Sequence, residues 1–367
     1  MTIYLDNMIF FLQKAGGISV YWSELVRGLR ASDQSIVFIE PAGDSGNMLY
    51  GQLECRGVMK QRTRWRPAIE RYLPIRTKIS GPSIVHSSYY RIAHHRNAAN
   101  VVTVHDFTYE RYRKGIARHM HHWQKAHAIR HADAIICVSE NTKADLLRFF
   151  PSVPERKIRV IHHGVSGAYR PLSKNPEAYP GLSAILRKRY ALYVGDRRGY
   201  KNFRLAVESV ARNTGLDIVM VGGGNLTQEE TDLLTGCLTN RFHHLSDVNN
   251  ETLNVLYNFS LCLIHPSAYE GFGMPVLEAM AAGCPVVAWC TSSIPEVCGD
   301  ACVCVEAPEP SAFEKRLKAL EDAEYRANVI ERGYQRSTQF SWPQCVAQTL
   351  DVYKAVYQEK FGGRAVQ

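Results

Sequence analysis

Short apolar runs recur along the chain, spaced widely enough to leave room for a helix between neighbours. In the first half they fall at residues 3–5, 36–39, 84–85, 101–104, 134–138 and 160–161. In the second half they fall at 191–194, 218–221, 261–264, 286–288 and 302–305. Continuous apolar runs of this length, without polar alternation, suit strands covered on both faces. Helical periodicity lies between them, at 18–30, 141–150, 202–213 and 251–258. Alternation of this kind predicts an α/β fold of parallel sheets covered by helices, one sheet per half. The chain has 367 residues, too many for one ordinary core and suited to two domains. The stretch 170–181 carries Pro171, Pro176 and Pro180, which discourage regular structure, so the domains are expected at 1–172 and 182–341.

One segment carries most of the chemical information. Residues 261–296 read L-C-L-I-H-P-S-A-Y-E-G-F-G-M-P-V-L-E-A-M-A-A-G-C-P-V-V-A-W-C-T-S-S-I-P-E. The run 261–264 predicts a buried strand, followed by a loop with Glu270, Gly271, Phe272 and Gly273. A helix is expected from Met274 and Pro275, since proline suits the first helical turn, and it stops at Gly283. A glycine-bearing loop and a new helix start therefore stand at the carboxyl end of a strand. Free amides there favour an anion, phosphate above all. Glu270 before the helix and Glu278 within it suit a hydroxyl-rich ligand better than a bare phosphate.

The segment resembles the donor-site motif of retaining glycosyltransferases of family 4, which have the GT-B fold. It carries two glutamates eight positions apart around a G-F-G turn, with H-P-S before and A-x-G-x-P-V-V-A after. The resemblance implies two Rossmann-like doubly wound domains facing across a cleft, with the last helix, 342–367, crossing back to the first domain. It also implies roles: Glu270 on the donor-sugar hydroxyls, Glu278 on the ribose, and phosphates at Gly273, Met274 and Pro275. Members with this motif act on nucleotide-diphosphate sugars in lipopolysaccharide, exopolysaccharide or capsule synthesis. General similarity to bacterial mannosyltransferases favours GDP-mannose as donor, with UDP-sugars close behind, and a glycan or lipid-linked acceptor. A phosphorylase on the same scaffold and an inactive sugar-nucleotide-binding partner protein are the competing readings.

Other positions fit this frame. Residues 190–202 read Y-A-L-Y-V-G-D-R-R-G-Y-K-N, a strand exit with cations that suit a diphosphate. By resemblance Lys201 and an arginine take that role. Many relatives carry the arginine immediately before the lysine, where this chain has Tyr200, so Arg197 is preferred and Arg198 is the alternative. Gly16 and Gly17 precede a helix and match the glycine-rich first loop of the family. The triplet beginning at Gly222 is expected to let backbone approach the nucleotide. His105 ends an apolar run and suits a sugar hydroxyl or the reacting region, against a histidine satisfied by backbone. Ser139 reads first as a helix N-cap.

Composition removes several classes. No apolar run approaches the roughly 18 residues that span a bilayer. The N-terminus, with an early acid and no small-residue cleavage site, does not read as a signal peptide. Ten cysteines without framework spacing are expected as free, buried thiols in a reducing cytoplasm. There is no D-x-D element for a divalent cation, and His119, His121, His122, His127 and His131 lack zinc-site spacing. Metal-independent transfer, with the nucleotide sugar as co-substrate and no cofactor, is therefore expected. Residues 1–170 hold 25 Lys+Arg against 13 Asp+Glu, a charge of +12, and the remaining 19 against 22 give −3, for a total of +9. The excess peaks from Arg56 to Lys78, where Trp65, Ile69, Tyr72 and Leu73 fit one helix face. Such a patch suits an anionic membrane or a lipid-linked acceptor, and equally a solvated basic surface. No zinc-finger or RNA-binding signature points to nucleic acid. The expected location is cytoplasmic, with a peripheral position at the inner face of the membrane as the finer reading.

Overall fold

A computed structural model describes residues 1–53, 59–62, 65–173 and 175–362. The chain divides into two compact units, Met1–Gly164 with Trp342 onward, and Val165–Ser341. The first is built on seven strands: β1 (Thr2–Asp6), β2 (Ser35–Glu40), β3 (Met59–Arg62), β4 (Ser83–Ser87), β5 (Ala98–Val104), β6 (Ala134–Cys137) and β7 (Ile158–Val160). All pair in parallel, in the order β3-β2-β1-β4-β5-β6-β7. The second unit has six parallel strands: β8 (Tyr190–Val194), β9 (Asp217–Val221), β10 (Phe242–Leu245), β11 (Cys262–His265), β12 (Val286–Trp289) and β13 (Val303–Val305). Their order is β10-β9-β8-β11-β12-β13.

Burial explains which strands the apolar pattern marks. β4, β5, β6, β9 and β11 are buried along their whole length, as helix-covered parallel strands must be. β3 and β10 are edge strands with the polar sequences M-K-Q-R and F-H-H-L, and the pattern of apolar runs misses both. In the second unit the core gathers Ile218, Met220, Ile264, Val287 and Val303 from the sheet with Phe203, Val207, Phe313 and Leu317 from its helices.

The units part at Gly164, earlier than the proline-rich stretch at 170–181 suggests. Side chains of the helix Asn250–Phe259 cause the difference. Asn250 accepts from the Tyr169 hydroxyl, and Asn254 and Asn258 accept from the amides of Arg170 and Leu172. The helix Trp342–Phe361 packs on the helix Gly17–Arg30, where a side chain at Gly28 would meet Val346 at 2.5 Å. Its Tyr353 hydroxyl lies 2.5 Å from His86 Nδ1 on β4, and Lys360 pairs with Asp133 at 2.7 Å.

Candidate active site

In an open parallel sheet, ligands bind beyond the carboxyl ends of the strands where the strand order reverses. In the second unit that point lies between the paired strands β8 and β11. β8 runs out into the turn Gly199–Lys201, and β11 into the loop that carries Glu270. The two exits are stitched together. Asn202, in a left-handed conformation (φ 50°), donates from Nδ2 to Pro266 O at 2.9 Å, and the Ala268 amide donates to Tyr200 O at 2.8 Å. Residues 292 and 293, beyond β12, complete the frame. The Glu270 amide donates to Ser292 Oγ, and Ser293 Oγ donates to Glu270 O.

This frame delivers Lys201 Nζ to 2.7 Å from Glu270 Oε1, with His265 Nε2 at 3.1 Å from the same oxygen. Burial opposes ionisation of Glu270, but Lys201 and His265 outweigh it and hold the carboxyl well below its usual range. Glu278 ends in the opposite state. It stands in the helix Met274–Ala281, and burial pushes its carboxyl up to about 7 although Tyr257 and Tyr169 donate hydrogen bonds to it. The Tyr257 hydroxyl lies 3.2 Å from Glu278 Oε2 and from Pro275 O, tying the carboxylate to the helix start. One acid is thus fixed as an anion and its neighbour is poised to titrate near neutrality.

Between them run Gly271, Phe272 and Gly273. Phe272 is buried and meets Phe340 edge-on, with ring centroids 5.9 Å apart. Gly273 precedes the helix with φ +97°, and a Cβ there would stand 2.8 Å from Ile294 Cδ1. No other residue fits this turn without strain. Met274 and Pro275 open the helix half-buried. Pro275 has no N–H, and the Val276 and Leu277 amides donate to Gly273 O at 3.0 and 3.4 Å, so the helix-start donors toward a ligand are the amides of Gly273 and Met274.

Arg197 is used differently from the diphosphate contact expected of it. Its guanidinium is buried and donates to the carbonyls of Gly222, Gly223, Gly224 and Asn225, while Nε lies 3.0 Å from Glu230 Oε1. The triplet's left-handed backbone presents those carbonyls, and a side chain at Gly223 would collide with the guanidinium. Arg197 therefore holds the Gly222 loop in shape. Arg198 is exposed and pairs with Asp196 at 2.5 Å.

The remaining predicted residues belong to the first unit. Gly16 caps the helix Gly17–Arg30 after β1, and its carbonyl accepts from Ser19 Oγ and the Val20 amide. His105 follows β5, buried, with Tyr21 edge-on at 5.1 Å. Burial pushes its imidazole down to about 4; Asp106 opposes that shift and Lys125 reinforces it. His105 is thus a neutral ring at pH 7. Ser139 is an N-cap, accepting from the Thr142 amide.

The cysteine reading is corrected in one place. Cys290 and Cys304, from the adjacent β12 and β13 segments, form a disulfide, and seven other cysteines among the described residues are free. Their Cα atoms are 5.5 Å apart because the parallel register sets Ala288 opposite Cys304, a closeness that sequence spacing does not show. Among the described residues, the sulfur of Cys302 lies close to this pair, and the three could share a metal ion only with the disulfide reduced. In the helix Ile116–His131, His121 stacks on Tyr109 at 3.9 Å and His122 on Phe150 at 5.3 Å. Sequence reasoning missed His265, Tyr169 and Tyr257 as partners of the two acids. Only His265 left a signal, as the histidine of H-P-S.

Comparison with known proteins agrees with this geometry. Residues 15–167 match the family model Glycosyltransferase Family 4, and residues 180–336 match Glycosyl transferases group 1. The chain is 32% identical over 275 residues to the O-antigen chain mannosyltransferase B of Escherichia coli, covering 71% of each chain. Sucrose-phosphate synthase from Thermosynechococcus elongatus superposes with a TM-score of 0.74 at 18% identity, covering 98% of this chain and 99% of that one. Anabaena HepE in complex with UDP-glucose superposes with a TM-score of 0.73 at 14% identity, covering 97% and 100%. The fold is that of the GT-B glycosyltransferases. The chain belongs to glycosyltransferase family 4 and is a hexosyltransferase.

Proposed function

We propose that the chain transfers a hexose, with retention, from a nucleotide-diphosphate sugar to a glycan or lipid-linked acceptor of a surface polysaccharide. GDP-mannose is the favoured donor, supported by the mannosyltransferase of Escherichia coli among its relatives. The observation that carries this reading is the Glu270 carboxylate, held ionised by Lys201 and His265 at the reversal point of the sheet.

A diphosphate arriving beside Lys201 competes with Glu270 for the ammonium. Its charge is then shared between Lys201 and the helix-start amides of Gly273 and Met274, with Pro275 setting the first turn, without a metal ion. Glu270, released from that ion pair, accepts from donor-sugar hydroxyls, and Glu278 accepts from the ribose. Arg197 acts at one remove, by fixing the Gly222 loop. The acceptor oxygen bonds to the anomeric carbon on the face from which the diphosphate leaves. The bond from carbon to phosphate oxygen breaks, and the acceptor proton passes to the departing phosphate. His105 and the Gly16–Gly17 turn are the first unit's candidates for contacts to the transferred sugar.

Among the described residues no helix is long and apolar enough to cross a membrane. Lipid-linked acceptors then require a peripheral encounter with an anionic surface, with the basic stretch from Arg56 to Lys78 as one contributor and the cytoplasmic face as the site. Residues 56–58, 63 and 64 of that stretch lie outside the described residues. Trp65 and Ile69 are exposed, and Tyr72 and Leu73 are partly covered, so the four do not form one open face.

A thermal-shift screen across UDP-, GDP- and ADP-sugars tests the donor assignment. A ligand at 100 times its dissociation constant stabilises by about 2.7 kcal/mol. The largest shift is expected with GDP-mannose; no shift with any sugar nucleotide would contradict the reading.

A further inference from the structure

We infer that the first turns of the helix Ile116–His131, with the segment leading into it, form a docking surface for an anionic lipid bilayer. This rests on the proposed lipid-linked acceptor, and assigns the encounter to an element outside the basic stretch from Arg56 to Lys78.

The segment 111–120 reads R-Y-R-K-G-I-A-R-H-M, and all ten residues are exposed. It holds four cations and no acid. Ile116, Met120 and Trp123 recur at i, i+4 and i+7, so they share one face, and they are 78, 44 and 62% exposed. A well-packed soluble helix turns such a row inward. Here the opposite face is already used: His121, Lys125, Ala128 and Ile129 are buried, and Lys125 pairs with Glu110 at 2.8 Å. The helix is held rigidly from beneath and presents its apolar row outward.

Charge chooses the occupant. A second copy meeting this face through a two-fold axis would set Arg113, Lys114 and Arg118 against themselves. An anionic bilayer supplies the opposite charge to those cations and an interface for tryptophan. Apolar side chains between cations are the pattern of a helix lying in a membrane surface. Trp123 also shares a hollow of about 200 Å³ with Arg71 and Tyr72, so the row is continuous with the basic stretch.

The full chain is sedimented with vesicles of phosphatidylcholine alone and of an equimolar mixture with phosphatidylglycerol. Wild type is expected to bind only the mixed vesicles. The triple variant Arg113→Gln, Lys114→Gln, Arg118→Gln is expected to bind about a hundredfold more weakly at low salt, from roughly 1 kcal/mol per cation. Ile116→Ser with Trp123→Ser is expected to weaken binding about tenfold. Melting temperatures should hold, because every altered side chain is exposed, and so should turnover with a water-soluble acceptor. Wild-type binding that survives both variants would overturn the helix as the docking element and leave the membrane encounter standing. Indifference of wild type to anionic vesicles would overturn both. A dimer abolished by Ile116→Ser and Trp123→Ser would assign the face to a second copy instead.

Discussion

Glu270 and Glu278 share a loop and a helix yet hold protons with very different strength, and pH separates them. Glu270 is depressed, so its contribution to stability is present above the usual carboxylate range and is lost as pH falls through it. Glu278 is raised to about 7, so its contribution is complete below 4.5 and is lost as pH rises through 7. Nucleotide affinity is predicted to move the other way, because ribose hydroxyls donate best to the ionised carboxylate. Calorimetric titration with GDP from pH 6 to 8 should show tightening in wild type and a flat profile in Glu278→Gln. At pH 8, Glu278→Ala should weaken GDP binding about tenfold or more, from the 1.5–3 kcal/mol typical of hydrogen bonds to charged groups. Glu270→Ala should chiefly lower turnover, by about a hundredfold. The glutamates were legible because they recur within a dense motif. Tyr169 and Tyr257, which set the state of Glu278, were not: they lie 109 and 21 positions upstream, and only the tertiary fold brings them to the carboxyl.

At the scale of elements, two loops depend on single residues. Arg197 satisfies four carbonyls of the segment 222–225 and pairs with Glu230. Arg197→Ala strands those groups and should destabilise the protein by about 3–5 kcal/mol in urea denaturation, as loss of one partner of a buried ion pair does. Arg197→Lys should recover only part of that, since an ammonium lacks the planar fork. If Arg197 acted on the diphosphate alone, both variants would lose turnover with unchanged stability. Gly273→Ala should cost about 1–3 kcal/mol through its left-handed backbone and the Ile294 contact, and should weaken GDP binding as the helix start shifts. The sequence pointed to a cationic strand exit here but not to the destination of each guanidinium. A side chain of that length reaches either a ligand or its own loop, and spacing does not distinguish them.

For the whole molecule, the parallel, helix-covered architecture was legible because buried parallel strands announce themselves as apolar runs. The edges β3 and β10 were not, because their sequences, M-K-Q-R and F-H-H-L, contain no apolar run. The unit boundary shifted because asparagine side chains, not apolar ones, secure residues 169–172. The closing helix Trp342–Phe361 contributes Trp342, Val346, Tyr353 and Phe361 to the first unit's interior. Ending the chain before Trp342 should therefore unfold that unit, which limited proteolysis would reveal as selective loss of residues 1–164. The nucleotide site proposed around Lys201 and Glu278 is tested most directly by calorimetric titration of GDP into wild type, Lys201→Met and Glu278→Ala at pH 8. Saturable wild-type binding, weakened at least tenfold in each variant, is the predicted result. Equal affinity in all three proteins would contradict it.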